Sequence, residues 1–257
     1  MAEGNWGMDH TDMQHPQTAG NENTGLLKVI AIIFMMIDHA GAIFFPKIME
    51  LRVLGRIAFP LYAWCAVVGV CYTRNMGKYA LRLLVLGIVS QPFYVLALSH
   101  DWAEWNIFAT LLLGILALWG IREKKWGSQI WAPVLALLIS CMVEVDYSWK
   151  GIAVILLLYM ARKNRGGLIA ALTTFCLYWG SGTVGITHIF GIRLPVYYSF
   201  MPHGSSLLSA ITKVQFWAIL SLPLIAIPMG KKMYLPKWIA YGAYPVHLLL
   251  YYLISLC

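Results

Sequence analysis

Charge is what this sequence of 257 residues has least of: 12% of it is Asp, Glu, Lys or Arg, while 60% is apolar. An ordinary soluble domain carries charge on about a quarter of its residues, and no single water-soluble core hides this much hydrocarbon. The outer surface therefore has lipid as its solvent. Acidic residues are the scarcer sign, 11 against 19 basic ones, for a net charge of +8. In a soluble protein that excess would point to nucleic acid, but here the basic residues sit in short clusters between apolar runs, the pattern of cytoplasmic membrane loops. No nucleic-acid role is expected.

Metal-ligand spacing is also missing. Of the five cysteines, Cys65, Cys71, Cys141 and Cys176 fall in apolar runs, where a thiol behaves as a small hydrophobe, and Cys257 stands alone at the end. Neither a disulfide nor a metal site is expected from them, and His10 and His15 lack further ligands. The first 25 residues lack the basic start and apolar stretch of a cleavable signal peptide. They are expected to form a flexible polar tail, with residues 26–257 as one transmembrane domain.

Apolar runs are what the chain has in abundance. A spanning helix takes about 20 of them at about 1.5 Å each. Nine candidates lie at 26–46, 51–73, 78–98, 105–121, 129–145, 147–161, 167–181, 209–229 and 235–256. The fold class expected is all-α: a polytopic bundle of about nine membrane segments, with a range of eight to ten. Lys and Arg favour the cytoplasmic side, and here the bias alternates from loop to loop. Thirteen of the 19 basic residues gather on one side, among them Lys28, Arg74, Arg122, Arg162 and Lys231. The N-terminus is expected in the cytoplasm. Residues 181–208, glycine-rich and aromatic, read as an outer loop of re-entrant or interfacial character.

An ionisable residue inside a span costs on the order of 3 kcal/mol to insert and needs a partner or a function. The first run, VIAIIFMMIDHAGAIFFP, holds Asp38 and His39 followed by the small residues Ala40, Gly41 and Ala42. The last run places His247 after Pro245. Both histidines lie about 15–16 Å above a basic residue at the inner interface. A carboxylate beside an imidazole fixes its tautomer and raises its basicity, as general-base catalysis requires. Adjacent helical residues point about 100° apart, however, so Asp38 is free to orient another group, and an ion pair with Arg56 is the structural alternative. Pro60 marks an expected kink in the second run. Arg74, Asn75, Lys78 and Arg82 form a basic, amide-bearing cluster at the inner end of the second and third runs. Snorkelling accounts for part of it; the functional reading is a phosphate site for coenzyme A.

The runs LKVIAIIFMMIDHAGAIFFP, LGRIAFPLYAW, YTRNMGKYALRLL, NIFATLLLG and YPVHLLLYYL, in this order from about Leu27 to the C-terminus, resemble the TraX family of membrane proteins. The most specific elements are the Asp38–His39 pair and the Gly-Arg-x-Ala-Phe-Pro motif from Gly55 to Pro60. The resemblance implies a bacterial inner-membrane enzyme that uses cytosolic acetyl-CoA as co-substrate and acetylates an acceptor at the outer side, such as the N-terminal amine of a pilin-like protein. It implies His39 as base or transient acyl carrier, Asp38 as its partner and Arg56 as a site-forming residue; His247 and Tyr244 join Arg56 as the expected residues of the acceptor side. O-acetylation of an envelope sugar or small molecule fits the same residues. A proton-coupled transporter also uses intramembrane Asp, His and Arg, but the internal repeat common in transporter halves is not evident. A structural subunit has no need of a buried Asp-His pair.

Overall fold

The computed structural model describes residues 18–180, 188–189, 191–193, 210–230 and 233–256. Within them the regular structure is helical apart from a hairpin of two two-residue strands. Helices α1 (Thr24–Ile43), α2 (Met49–Gly55), α3 (Ala58–Tyr72), α4 (Met76–Leu98), α5 (Ile107–Glu123), α6 (Ser128–Met142), α7 (Ser148–Ala161) and α8 (Arg165–Gly180) succeed one another through short turns. The hairpin pairs β1 (His188–Ile189) with β2 (Ile192–Arg193) in antiparallel register. A 3₁₀ segment, Val214–Ser221, then runs into α9 (Leu222–Ala226), and α10 (Lys237–Ser255) closes the chain.

Three stretches are long and apolar enough to cross a membrane: Thr24–Ile43, Met49–Tyr72 and Met76–Leu98. The solvent they face is legible in their packing. On α4 the exposed side carries Leu81, Leu84, Val85, Ile88 and Val89, whereas Ser90, Gln91 and Tyr94 are buried beside Leu83 and Val95. Polar groups turned inward and aliphatic ones outward is the reverse of a soluble amphipathic helix, and it fits a lipid surround. The chain is a membrane protein. At the centre stands α3, where Phe59, Leu61, Trp64, Val67 and Val70 are all buried; α1, α5, α7 and α10 help enclose the same core.

Two expected runs are built differently. The second is broken: α2 ends at Gly55, and Arg56 and Ile57 form a turn before α3 begins. Pro60 sits in the first turn of α3, where its missing N–H is tolerated, so the break falls one turn upstream of the expected kink. The eighth run, 209–229, is wound mainly as a 3₁₀ segment ahead of the short α9. The expected outer loop at 181–208 lies outside the described residues except for the hairpin. The expected tail is described from residue 18, and there Thr18, Asn21 and Asn23 are buried. Asn21 donates its amide to the Leu224 carbonyl at 2.9 Å, and Trp64 donates its indole N–H to the Asn21 carbonyl at 2.7 Å, so the segment leading into α1 is locked into the bundle.

Candidate functional site

Asp38 and His39 are neighbours on α1, yet their side chains serve different partners. Asp38 is 8% exposed, as is Arg56, and the Arg56 guanidinium donates through Nη2 to both carboxylate oxygens at 2.5 and 2.6 Å. Arg52 adds a second cation at 3.0 Å and donates to the Asp38 backbone carbonyl at 2.9 Å. The turn after α2 makes this possible, because a Cβ on Gly55 would overlap the Asp38 side chain. The Gly-Arg pair therefore has a geometric meaning: glycine lets α2 abut the acid, and arginine answers it. Asp38 is the anchor of an ion-pair cluster, and the partner of His39 is another residue.

That partner is His247. Its Nε2 lies 2.7 Å from His39 Nδ1, with the rings nearly parallel at 8° and their centroids 5.0 Å apart. His247 Nδ1 lies 2.7 Å from the Ala243 carbonyl, which can only accept, so Nδ1 carries the hydrogen. In the neutral pair His247 Nε2 is then an acceptor, and His39 Nδ1 must be the donor. The remaining nitrogen, His39 Nε2, keeps its lone pair. The tautomer that Asp38 was expected to fix is fixed by a chain of donors ending on a backbone carbonyl.

Tyr244, one turn below His247, presents its ring edge to His39 at 6.0 Å and to His247 at 5.6 Å. Its hydroxyl is buried without a hydrogen-bond partner among the described residues. Asp38, His39, Tyr244, Tyr62, Asp146 and Tyr147 help line one cavity of about 30 Å³. An open lone pair and an unspent hydroxyl in the same small space can accept a proton and donate a hydrogen bond to one bound group.

A larger cavity flanks this centre at each end of α3. Toward the C-terminal end of α3, Lys28, Arg82, Tyr79, Tyr241 and Cys65 help line a space of about 340 Å³. Arg82 is the member of the expected phosphate cluster that reaches it. Asn75 instead caps α4, accepting from the Lys78 N–H at 2.8 Å, and Arg74, Asn75 and Lys78 lie outside the lining. Lys28, expected only as a marker of orientation, belongs to this cavity. In the lining of the central cavity Tyr62 donates to the Met35 sulfur at 3.7 Å.

At the opposite end a vestibule of about 650 Å³ is lined by Arg56, Tyr94, His100, Glu104, Asp146 and Lys150 among others. Two loops build it. Trp105 and Asp146 exchange backbone contacts, with Trp105 donating to the Glu144 carbonyl at 2.7 Å and Asp146 to the Trp105 carbonyl at 2.8 Å. Below them Asn106 donates to Gly87 and Gln91, and Gln91 donates to the Glu104 carbonyl, so these polar residues brace the loop. Asp146 lines both the vestibule and the central cavity. It lies in the connection before α7, where burial pushes its carboxyl up to about 6; Arg56 pulls the other way and Asp38 adds to the rise. In the sequence Asp146 does not stand out as a site residue. The available signal was its position between Val145 and Tyr147, an acid set in an apolar flank.

Three known proteins resemble this chain over part of its length. The chain is 37% identical over 106 residues to a protein of Dichelobacter nodosus described as a probable fimbrial assembly protein FimC, serogroup H1, covering 36% of this chain and 43% of that one. It is 26% identical over 148 residues to the uncharacterized protein RP591 of Rickettsia prowazekii (strain Madrid E), covering 56% and 57%. It is 30% identical over 154 residues to Protein TraX of Escherichia coli, covering 57% and 61%. The chain thus spans about half the length of the curated relatives it matches. No solved structure matches it. The family described as TraX protein matches residues 23–255, nearly the whole chain, and the chain belongs to the TraX family.

Proposed function

We propose that this protein is an integral membrane acetyltransferase that moves an acetyl group from cytosolic acetyl-CoA to the N-terminal amine of a pilin-like protein on the outer side. The observation that carries the reading is His39 Nε2, an open base whose tautomer is fixed through His247 and the Ala243 carbonyl. It shares a cavity with the unpartnered hydroxyl of Tyr244. Spaces at both ends of α3 suit a reaction in which donor and acceptor arrive from opposite sides. The names of two relatives, a fimbrial assembly protein and TraX, favour a pilin-like acceptor over an envelope sugar.

In this mechanism the donor's phosphates meet Lys28 and Arg82 at the cytoplasmic end, and its thioester reaches the central cavity past Tyr62 and Met35. The acceptor nitrogen attacks the thioester carbonyl. Tyr244 donates a hydrogen bond to the oxygen that becomes negative, and His39 Nε2 takes a proton from nitrogen and returns it to the departing sulfur. While His39 holds that proton, its Nδ1–H rests on His247, which shares the charge. Arg56 and Arg52, held by Asp38, add positive potential nearby.

The placement that goes with this is the bacterial inner membrane, with about nine segments and the N-terminus in the cytoplasm. The test is transfer of label from radioactive acetyl-CoA by protein purified in detergent, with a short pilin-like peptide as acceptor. Transfer by wild type that is lost in His39→Ala and strongly reduced in Tyr244→Phe, both variants running as monodisperse species, establishes the reading. A wild type that neither binds nor consumes acetyl-CoA with acceptor supplied removes it and makes the proton-coupled transporter the leading alternative.

A further inference from the structure

An amine at neutral pH reaches the site as an ammonium ion, since a free α-amino group has a pKa of about 7.7–8.0. Its nitrogen then has no lone pair, and two protons must leave it before it is an amide. His39 Nε2 accepts one of them, with Nδ1 engaged by His247. Given acetyl transfer to an amine, a second base on the acceptor's path would let the predominant ammonium form react as well as the neutral minority.

We infer that Asp146, at the throat between vestibule and central cavity, is that base, and that the vestibule before it is a binding site for a primary ammonium group. Four observations converge. Asp146 lines both spaces, so an acceptor entering from the vestibule meets its carboxylate before reaching His39. Arg56, a cation that shares the vestibule, gives its Nη2 to both oxygens of Asp38, and Asp146 forms no ion pair within 4 Å among the described residues. Gln215, also on the vestibule wall, holds its amide oxygen buried without a partner, ready to accept an N–H. On the cavity side waits the unpartnered Tyr244 hydroxyl. Aromatic rings wall the throat, with Tyr147 stacked on Phe59 at 4.0 Å and Trp179 at 5.4 Å and a steep angle to Tyr147.

The protons then balance. The ammonium leaves its first proton on the Asp146 carboxylate, from which it passes to water in the vestibule. The neutral nitrogen attacks the thioester carbon; the C–N bond forms and the C–S bond breaks. The second proton moves from nitrogen to His39 Nε2 and on to the sulfur. Ammonium and acyl thioester become amide, thiol and one released proton. A hydroxyl acceptor brings no such first proton, so an ammonium site is specific to amines.

The test reads binding rather than turnover. Alaninamide, cationic at its amine, and N-acetylalaninamide, its neutral counterpart, are titrated at pH 7.5 against the full chain in detergent by ligand-observed NMR. The parent protein is compared with Asp146→Asn and Asp146→Glu. Alaninamide is expected to bind at least tenfold more tightly to the parent, the preference to vanish in Asp146→Asn and to return in part in Asp146→Glu. No preference in the parent, or a preference that survives in Asp146→Asn, overturns the assignment. Should Asp146→Asn fail to fold, Asp146→Glu decides against the parent: a preference reduced but not lost in Asp146→Glu keeps the site, and one equal to the parent's, or absent from the parent, removes it. A protein that prefers the amine yet never consumes acetyl-CoA keeps the ammonium site and loses the acetyl transfer; the converse result loses only the site.

Discussion

The two histidines divide one task. His247 contributes an acceptor, His39 a donor on one nitrogen and a base on the other, and the direction is set by the Ala243 carbonyl. Solution NMR of ¹⁵N-histidine-labelled protein is therefore expected to find Nδ1 protonated and Nε2 bare in both rings at neutral pH; an Nε2–H on His39 contradicts the relay. General-base catalysis contributes about 10²–10⁴-fold, so His39→Ala should lose acetyl transfer by that order. His247→Gln, whose amide oxygen can still accept from His39 Nδ1, should lose much less than His247→Leu, and equal losses would show that His247 only fills space. Asp146 gives the pH dependence. Burial has raised its carboxyl to about 6, so the carboxylate is present above that value and lost as pH falls through it. The preference for alaninamide should fade with a midpoint near 6 in the free site, although the ligand itself stays cationic there. Sharing these spaces with Asp146 are Asp38, His39, Tyr62, Tyr147 and Tyr244 from the cavity, and Arg56, Tyr94, His100, Glu104, Glu144 and Lys150 from the vestibule. His100 pairs with Glu104 and stacks on Tyr94, so a His100→Gln control that keeps the midpoint assigns it to Asp146.

At the level of elements, the contact between α1 and the end of α2 carries the heaviest consequence. Asp38→Asn leaves the guanidiniums of Arg56 and Arg52 without their counter-charge, and breaking a buried pair of this kind costs about 3–5 kcal/mol. Gly55→Ala should do comparable harm without removing any charged residue, because its Cβ occupies the place of the Asp38 side chain. Both variants are expected to lower the thermal unfolding midpoint in detergent, and a Gly55→Ala protein as stable as the parent would mean that α2 can move away at little expense. This contact also marks how far the sequence could be read. Asp38, His39, Arg56 and His247 stood out because ionisable groups inside apolar runs are rare and costly. Their pairing did not, since sequence puts Asp38 beside His39 whereas helix geometry sends the two side chains apart. The limits of α4, α7 and α10 match hydropathy closely, at 76–98, 148–161 and 237–255 against the expected 78–98, 147–161 and 235–256. The break at Arg56 was displaced from Pro60 because a proline in the first turn of a helix has no earlier intrahelical bond to disrupt, so it starts α3 without kinking it. Hydropathy also has no means to distinguish the 3₁₀ winding of Val214–Ser221 from an α-helix of the same composition.

Across the whole molecule, the proposed chemistry depends on a direction that packing alone leaves open. Lys28 and Arg82 line the space at one end of α3, while Asp146 and its vestibule lie at the other. A cytosolic donor and an external acceptor can share His39 only if the first end faces the cytoplasm. The distribution of basic residues favours that orientation: Arg122, Lys124 and Lys125 close α5, and Arg162, Lys163 and Arg165 join α7 to α8, whereas Asp101 and Glu104 occupy the vestibule end. Single cysteines placed at Lys124 and at Asp101 in a background free of the native thiols give the decisive comparison, since both positions are exposed. A membrane-impermeant maleimide added to intact spheroplasts should label Asp101→Cys and spare Lys124→Cys until the membrane is opened. The reverse pattern would put Asp146 on the cytoplasmic side, where no exported N-terminus waits, and would defeat the acceptor assignment while leaving the His39–His247 relay untouched. Labelling of both positions from outside would instead mean that α5 does not cross the bilayer, and the nine-segment arrangement would fall with it.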